Sequence, residues 1–341
     1  MISEITLIGF KSFLNRQIKL KQLTVLTGLN SSGKSSIIQA LLMMEKAKKD
    51  ETSLLLEGHG SIEEIKNIYY SKQIQLKVAD EFGNFFITDF TSAVQNRGIN
   101  YLCINKKEFN FPEIIYISAN RFGPKTSVPI YNDSFKRNRI GPNGENLFQF
   151  IKSFEDKTLD SRLIHPSSEG ETLEYNIRGW LSVISPNVKF RYEIDKNSDT
   201  SYSMFNEHRA TNVGFGLSYS LSVIASLLIG TLIPNSLVII ENPEAHLHPK
   251  GQTEIARLIS LCAQVGTQVI IETHSDHLFD GIRIAAKNNK GFAKDVQIHW
   301  FELNEKQNTE VTSPNLDDDG RLDKWPPGLF DQFEINSSNL M

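Results

Sequence analysis

The chain has 341 residues, of which 40% are hydrophobic and 22% are charged, and its formal net charge is −4. These values are typical of a soluble globular protein with one large domain or two domains, and they exclude a global electrostatic attraction to nucleic acid. The N-terminus lacks a basic segment followed by a long apolar run, and Cys103 and Cys262 lie far apart without metal-ligand spacing. We therefore expect a cytoplasmic protein with two buried thiols.

The first 120 residues predict a β-rich region that contains one helix. Short apolar runs predict strands at Ile5–Leu7, Ile18–Leu20, Leu23–Leu26 and Glu113–Ser118, with a β-rich meander from about Ser53 to Cys103. Apolar residues at helical spacing predict a helix from Gly33 to about Lys48.

A glycine-rich segment between the third strand and this helix fits the pattern G-x-x-x-x-G-K-[ST] at every fixed position. Its glycines let successive backbone N–H groups point at phosphate oxygens, and the helix N-terminus adds the positive end of its dipole. Lys34 is expected to reach the β- and γ-phosphates, and the Ser35 hydroxyl to bind Mg²⁺. The sequence therefore predicts an ATP-binding loop made of Gly28, Leu29, Asn30, Ser31, Ser32, Gly33, Lys34, Ser35 and Ser36.

The pattern changes after residue 120, where prolines and glycines interrupt it until about residue 200. Helices are expected within this stretch at 148–154 and 174–183. The apolar run Leu217–Ile233 is predicted to be a buried helix rather than a membrane span, because four serines and a tyrosine interrupt it. The remaining predictions are strands at 237–240, 268–271 and 296–301 and a helix at about 251–263.

Strands that alternate with helices predict an α/β protein with a P-loop NTPase core and a parallel or mixed sheet. We expect this core to be one domain formed by residues 1–119 and 201–300. Residues 120–200 are expected to form a helical and loop insertion, and residues 301–341 a surface tail.

Two of the predicted core strands end in polar residues suited to nucleotide chemistry. A P-loop enzyme needs an acid on a neighbouring strand to hold Mg²⁺, and Glu241 follows the apolar strand 237–240. His274 follows the strand 268–271, where an imidazole can sense the γ-phosphate.

The order of these motifs resembles the ABC-type ATPases of the SMC and OLD-like group in the AAA family, of the stand-alone prokaryotic type without a Toprim domain. The stretches that carry the resemblance are Gly9–Phe13, Gly28–Ser36, Gly214–Ser218, ENPEAHLHP from Glu241, THSDHL from Thr273 and DGRLDKWPPGLFDQF from Asp319.

The resemblance implies an ABC-type sheet core and an ATP-sandwich homodimer or higher oligomer, in which Gly216 and Ser218 contact the γ-phosphate of the ATP held by the other copy. It also places Glu241 as the Mg²⁺-linked acid and Asn242 where relatives carry the glutamate that polarises water. Because an amide cannot accept a proton, either hydrolysis is slow or Glu244 serves as the base.

Several side chains remain open to two interpretations. Lys11 either approaches the nucleotide phosphates or is an exposed lysine at a strand end. His246 and His248 are expected at an interface between protomers, with a metal site shared with His274 and His277 as the alternative. The basic stretch with Arg121, Lys125, Lys136, Arg137 and Arg139 either touches DNA or RNA or is a solvated loop with one arginine that helps the ATP site.

The sequence thus predicts an ATPase that acts as a switch or sensor subunit in prokaryotic antiphage defence or DNA maintenance. Too few residues follow Leu278 for a Toprim nuclease, so the effector, a nuclease or toxin, is expected to be a separate protein. The alternative is a nucleic-acid-processing enzyme whose own nuclease activity lies in the insertion. A membrane transporter subunit is disfavoured by the SMC-like phosphate loop.

Overall fold

The structure is a computed structural model that describes residues 1–49, 54–91, 100–106, 108–131 and 139–340. The chain forms two compact units, and each gathers segments that are distant in sequence. The first unit comprises Met1–Ile114, Lys294–Leu316 and Leu322–Met341, and the second comprises Ile115–Ala293 and Asp317–Arg321. The three-part domain division expected from the sequence stays a prediction.

The described residues contain short strands and seven helices of eight or more residues. The strands are β1 (Glu4–Phe10), β2 (Phe13–Lys19), β3 (Leu23–Gly28), β4 (Gln75–Ala79), β5 (Phe85–Thr91), β6 (Asn100–Lys106), β7 (Glu113–Ile117), β8 (Val128–Pro129), β9 (Phe190–Asp195), β10 (Thr200–Phe205), β11 (His208–Arg209), β12 (Ser236–Glu241), β13 (Gln268–Glu272), β14 (Val296–Leu303) and β15 (Thr309–Thr312). The helices are α1 (Lys34–Lys48), α2 (Leu147–Phe154), α3 (Leu173–Leu181), α4 (Phe215–Leu232), α5 (Pro249–Gln264), α6 (Asp276–Asn288) and α7 (Gln332–Leu340).

The first unit holds an antiparallel sheet and the strand that leads into the glycine-rich loop. The sheet has the order β2-β1-β4-β5-β6. Strand β3 is buried along its whole length and pairs in parallel with β14, which pairs on its other side with the antiparallel β15. A fully buried strand needs apolar side chains on both faces, and the run Leu23–Leu26 supplies them. The strand directions in this part of the unit are therefore mixed.

The second unit is built around the parallel pair β12 and β13, whose residues are almost all buried. Helices α5 and α6 follow these strands, as expected for strand–helix units of an α/β fold. A small antiparallel sheet has the order β11-β10-β8, with β9 also paired to β10. The predicted α/β class with a mixed sheet is confirmed.

Helix α4 is the most apolar helix of the second unit. It is the one helix of the described residues that is long and apolar enough to cross a membrane, and 67% of that apolar window is buried inside the protein. Two of its polar interruptions are satisfied locally, because Ser220 and Ser226 donate hydrogen bonds to carbonyl oxygens one turn earlier. The predicted buried helix is therefore present.

Two expectations need correction. The residues after 300 are not merely a surface tail, because β14 extends to Leu303, β15 follows, and the side chain of Thr309 is buried. The stretch 120–200 contains the expected helices as α2 and α3, but it also contributes strand β9, which pairs with β10. Alternation in β9 is weak, since only its first residue is fully buried, and the residue pattern therefore did not predict a strand there.

Candidate functional site

The glycine-rich loop of the first unit approaches its neighbours too closely for side chains at its two ends. Gly28 has φ of 144°, and a Cβ there would lie 2.2 Å from the carbonyl oxygen of Phe301. Gly33 has φ of 106°, and a Cβ there would lie 2.6 Å from the Thr309 hydroxyl. Both conformations are costly for residues other than glycine, so these two positions explain the fixed glycines of the motif.

The Lys34 side chain folds back over this loop. Its ammonium donates hydrogen bonds to the carbonyl oxygens of Gly28 at 3.2 Å and Leu29 at 2.7 Å, and only 3% of the residue is exposed. Lys34 begins the 15-residue helix α1, whose first turn contains no acidic residue. A buried cation at a helix N-terminus beside a glycine-lined loop fits the phosphates of a nucleotide.

The other loop positions differ in their exposure to solvent. Asn30 and Ser31 are exposed, and Ser31 has φ of 60°. Ser32 donates from its hydroxyl to the carbonyl oxygen of Leu29 at 2.7 Å. Ser35 is half-buried in the first turn of α1, and Ser36 is buried beside it.

The loop is supported by two residues of the C-terminal segment that sequence reasoning missed. The Thr309 hydroxyl donates to the carbonyl oxygen of Ser32 at 2.8 Å, and the Ser12 hydroxyl lies 2.6 Å from it. The Leu29 N–H donates to the carbonyl oxygen of Phe301 at 3.2 Å. Three of the four residues at 309–312 are β-branched, and this composition favours a strand there.

Lys11 lies against the helix that follows the loop. Its ammonium donates to the Gln39 side chain on α1, and burial lowers the pKa of Lys11. Its backbone has φ of 49° and is fixed by a hydrogen bond from its N–H to the carbonyl oxygen of Ile65 at 2.7 Å. The structure therefore joins Lys11 to α1 within the first unit, while its contact with phosphate stays a prediction.

In the second unit, Glu241 ends β12 with both carboxylate oxygens engaged. The Tyr116 hydroxyl donates to Oε1 at 3.0 Å, and the Ala119 N–H donates to Oε2 at 2.9 Å. Burial is the main cause that raises the pKa of the Tyr116 hydroxyl, and the negative charge of the Glu241 carboxylate raises it further. The hydroxyl therefore stays protonated and can donate this hydrogen bond. Each carboxylate oxygen retains a further lone pair, so the fixed Glu241 side chain still fits a metal ligand.

Asn242 and Glu244 form a turn beyond Glu241, which we call the acidic turn (residues 241–244). Asn242 has φ of 45°, and its N–H donates to the carbonyl oxygen of Glu272 at 2.8 Å. Its side-chain oxygen is buried and accepts no hydrogen bond within the described part of the chain. The Glu244 Oε1 accepts from the N–H of His274 at 2.9 Å, and burial raises the pKa of Glu244.

These contacts bring the four predicted catalytic residues together at one edge of the parallel pair. Glu241 lies opposite Glu272 in the register of β12 and β13, and the exposed His274 follows two residues later. Parallel strands end at the same edge, which is why residues far apart in sequence meet there. Their catalytic roles stay predictions.

The start of α4 packs against the segment that follows the acidic turn. A Cβ on Gly216 would lie 2.8 Å from the carbonyl oxygen of His246. The Tyr219 ring lies 4.4 Å from the His246 ring, and Phe215 is 58% exposed beside them. The Ser218 hydroxyl oxygen is buried, and Ser218 lines a small pocket with Ser222, whereas Gly214 and Phe215 are exposed.

His248 lies at the start of α5, and Arg121 of the basic stretch is buried. His248 accepts from the N–H of Lys250 at 3.3 Å and thereby caps α5. Across the residues that the structure describes, no three His, Cys, Asp or Glu side chains are grouped to hold a metal ion. Arg121 is not solvated, since 1% of it is exposed, and Lys136 and Arg137 lie outside the described residues.

The loop, its buried lysine and the strand–helix order define a P-loop nucleotide-binding protein. Residues 1–169 and 145–279 match the family described as AAA ATPase domain, and residues 293–340 match a family described as a protein of unknown function. The chain belongs to the AAA ATPase domain family. No curated protein matches it in sequence.

Solved structures of SMC head domains share the fold. An SMC head bound to the C-winged helix domain of ScpA is 15% identical with a TM-score of 0.56, and the match covers 92% of this chain and 98% of that one. The SMC head from Thermotoga maritima is 12% identical with a TM-score of 0.50, covering 91% and 98%. The Smc head with an extended coiled coil, bound to the C-terminal domain of ScpA derived from Pyrococcus furiosus, is 12% identical with a TM-score of 0.53, covering 100% and 99%. The predicted ABC-type, SMC-like fold is confirmed.

Proposed function

We propose that the chain binds ATP through its phosphate loop and hydrolyses it slowly with Mg²⁺. The observation that carries this proposal is the buried Lys34, whose ammonium binds carbonyl oxygens of the phosphate loop that runs from Gly28 to Gly33. In the first unit, Ser35 is the residue that would bind Mg²⁺, which neutralises negative charge on the phosphates. In the second unit, Glu241 is the acid that we propose for Mg²⁺ chemistry. The first turn of α1 contains no acid that would repel the anion.

The acidic turn supports a slow reaction. Asn242 stands where an acid would polarise water, and an amide orients water without accepting its proton. Glu244 is the base that we propose, because burial raises its pKa towards the working pH and makes its carboxylate a better proton acceptor. His274 is joined to Glu244 through its backbone and would sense the γ-phosphate.

The binding half of the proposal is tested with purified protein and a fluorescent ATP analogue. Lys34→Ala should weaken binding at least about tenfold, because the buried ammonium is the cation that meets the phosphates. Lys48→Ala, at the exposed end of the same helix, is the matched control and should bind as the natural protein does. Equal binding by the Lys34 variant and the natural protein would show that the loop is not the nucleotide site.

We also propose that ATP drives self-association and that the chain acts as a cytoplasmic switch for a separate effector such as a nuclease or toxin, in prokaryotic antiphage defence or DNA maintenance. The exposed start of the 18-residue helix α4, with Gly216 and Phe215, is the surface that would meet the nucleotide of a second copy. The resembling SMC heads are bound to domains of ScpA, which supports a separate protein partner here.

Self-association is tested by light scattering with and without ATP on the Glu244→Gln variant, which should retain ATP and dimerise. A monomer at saturating ATP would contradict the dimer. Affinity capture from the native host with this variant, compared with Lys34→Ala, should identify a partner that depends on ATP. Cleavage of nucleic acid by the lone chain would instead favour an intrinsic nuclease.

A further inference from the structure

Arg121 binds both the acidic turn and helix α4, two parts of the second unit that belong to separate sequence motifs. Its Nη1 donates to the carbonyl oxygen of Glu241 at 2.8 Å, and its Nη2 donates to that of Asn242 at 2.7 Å. Its Nε donates to the carbonyl oxygen of Tyr219 on α4 at 3.2 Å. A further bond from Nη1 reaches the carbonyl oxygen of Ser118 at 3.2 Å. One guanidinium thus binds the acidic turn, helix α4 and the end of the β7 segment.

The site is built to hold a guanidinium. Arg121 is 1% exposed, and its guanidinium carbon lies 5.3 Å from the centre of the Tyr219 ring. Although burial lowers the pKa of Arg121 to about 10, the group stays charged at neutral pH. Burying a cation is costly unless its donors are satisfied, and here backbone carbonyl oxygens accept four hydrogen bonds from the five N–H groups of the guanidinium.

The bonded carbonyls belong to the residues on which the proposed hydrolysis depends. Strand β12 ends at Glu241. The Asn242 carbonyl oxygen accepts from the Ala245 N–H at 3.1 Å, and Arg121 is its second donor, from outside the turn. Asn242 is also held at φ of 45°, a conformation that surrounding contacts must maintain. Arg121 supplies these contacts on one side, and the Glu272 carbonyl oxygen binds the Asn242 N–H on the other.

We propose that Arg121 is a positioning residue that holds the acidic turn and the start of α4 in one fixed arrangement for ATP hydrolysis. This inference rests on the proposed ATPase function. The close approach of Gly216 to the His246 carbonyl oxygen forms a second contact between α4 and the segment after the acidic turn. A displacement of the α4 start by the nucleotide of a second copy would therefore move the acidic turn with it.

Lysine cannot replace this residue. An ammonium offers donors from a single nitrogen, whereas the guanidinium spreads its donors over three nitrogens in a plane. In Arg121→Lys the charge is kept, but Glu241, Asn242 and Tyr219 can no longer be bound together. Nucleotide binding by the phosphate loop should survive, because none of the Arg121 contacts involves that loop.

The test measures turnover, nucleotide affinity and thermal unfolding of Arg121→Lys, Arg121→Ala and the natural protein. Arg121→Lys should bind a fluorescent ATP analogue within about twofold of the natural protein while kcat falls at least about tenfold. Guanidinium ion at a concentration well below that needed for unfolding should raise the kcat of Arg121→Ala, since it can refill the site. The matched control is Arg178→Lys, which removes an arginine that donates to the Phe190 carbonyl oxygen in the same unit and should leave kcat unchanged.

The outcomes separate the two proposals. A natural protein that does not hydrolyse ATP would overturn both the ATPase function and this inference. Hydrolysis by the natural protein, with kcat of Arg121→Lys within twofold, would overturn the inference alone. The inference also fails if guanidinium does not raise the kcat of Arg121→Ala, or if both Arg121 variants are unfolded, because Arg121 would then serve only the fold.

Discussion

Thr309→Val should weaken ATP binding although residue 309 lies far from the phosphate loop in sequence. Valine keeps the shape of threonine but removes the hydroxyl that donates to the Ser32 carbonyl oxygen at 2.8 Å and that lies 2.6 Å from the Ser12 hydroxyl. The buried Ser32 carbonyl oxygen would be left without this donor, which costs about 1–3 kcal/mol, whereas the half-buried Ser12 hydroxyl loses a partner at a less buried place. Because Ser32 belongs to the phosphate loop, this free-energy cost should disfavour the loop conformation that we propose to bind phosphate.

The magnitude follows from affinity arithmetic. If the whole cost falls on the binding-competent loop, ATP affinity decreases by about 5- to 140-fold, since about 1.4 kcal/mol corresponds to a factor of ten. Titration with a fluorescent ATP analogue measures the affinity, and urea unfolding measures the loss of stability. Thr309→Ser is the control, because it keeps the hydroxyl and loses only a methyl group. Affinity and stability of Thr309→Val equal to those of the Ser variant would refute the reasoning.

Three further substitutions test the second unit. Gly216→Ala places a methyl group 2.8 Å from the His246 carbonyl oxygen and should reduce ATP-dependent self-association in light scattering, whereas Gly214→Ala, with nothing within 4 Å, should not. Burial raises the pKa of Glu244 in the folded protein above its value in the unfolded chain. The ionised carboxylate therefore lowers the free energy of unfolding when the pH is above the ordinary carboxyl pKa, and the neutral acid does not do so at lower pH. Glu244→Gln should therefore raise the melting temperature at pH 7 and change it little near about pH 4, and an equal change at both pH values would contradict this. Asn242→Glu should raise ATP turnover, because it supplies the missing acid. It should also lower the melting temperature, because a left-handed backbone is costlier for Glu than for Asn. Turnover that does not rise would exclude the missing acid as the cause of the proposed slow hydrolysis.

The parts of the site that depend on local chemistry were predictable from the sequence. The phosphate loop is a contiguous motif whose glycines are fixed by the φ angles that the structure shows at Gly28 and Gly33. The meeting of Glu241 with the segment around His274 followed from apolar strands that end in polar residues, since parallel neighbours end at one edge.

The supporting contacts were not predictable in the same way. Arg121 and Thr309 act across 121 and 277 positions of sequence, and neither belongs to a periodic pattern or a motif. Arg121 lies in a basic, proline- and glycine-rich stretch, a composition typical of a solvated loop, and only its backbone partners reveal that it is buried. Side-chain bonds to backbone carbonyls leave little trace in a single sequence, because any carbonyl can serve as the acceptor.

The pairing of β3 with β14 has a consequence for synthesis of the protein. The N-terminal loop is complete only when Phe301 and Thr309 lie beside it, and Thr309 is 277 positions later than Ser32. A nascent chain that stops at the end of the AAA ATPase domain match, residue 279, lacks both residues. Because Phe301 and Thr309 must both be synthesised before they can contact the loop, the nascent chain cannot complete the described loop arrangement until residue 309 has been made.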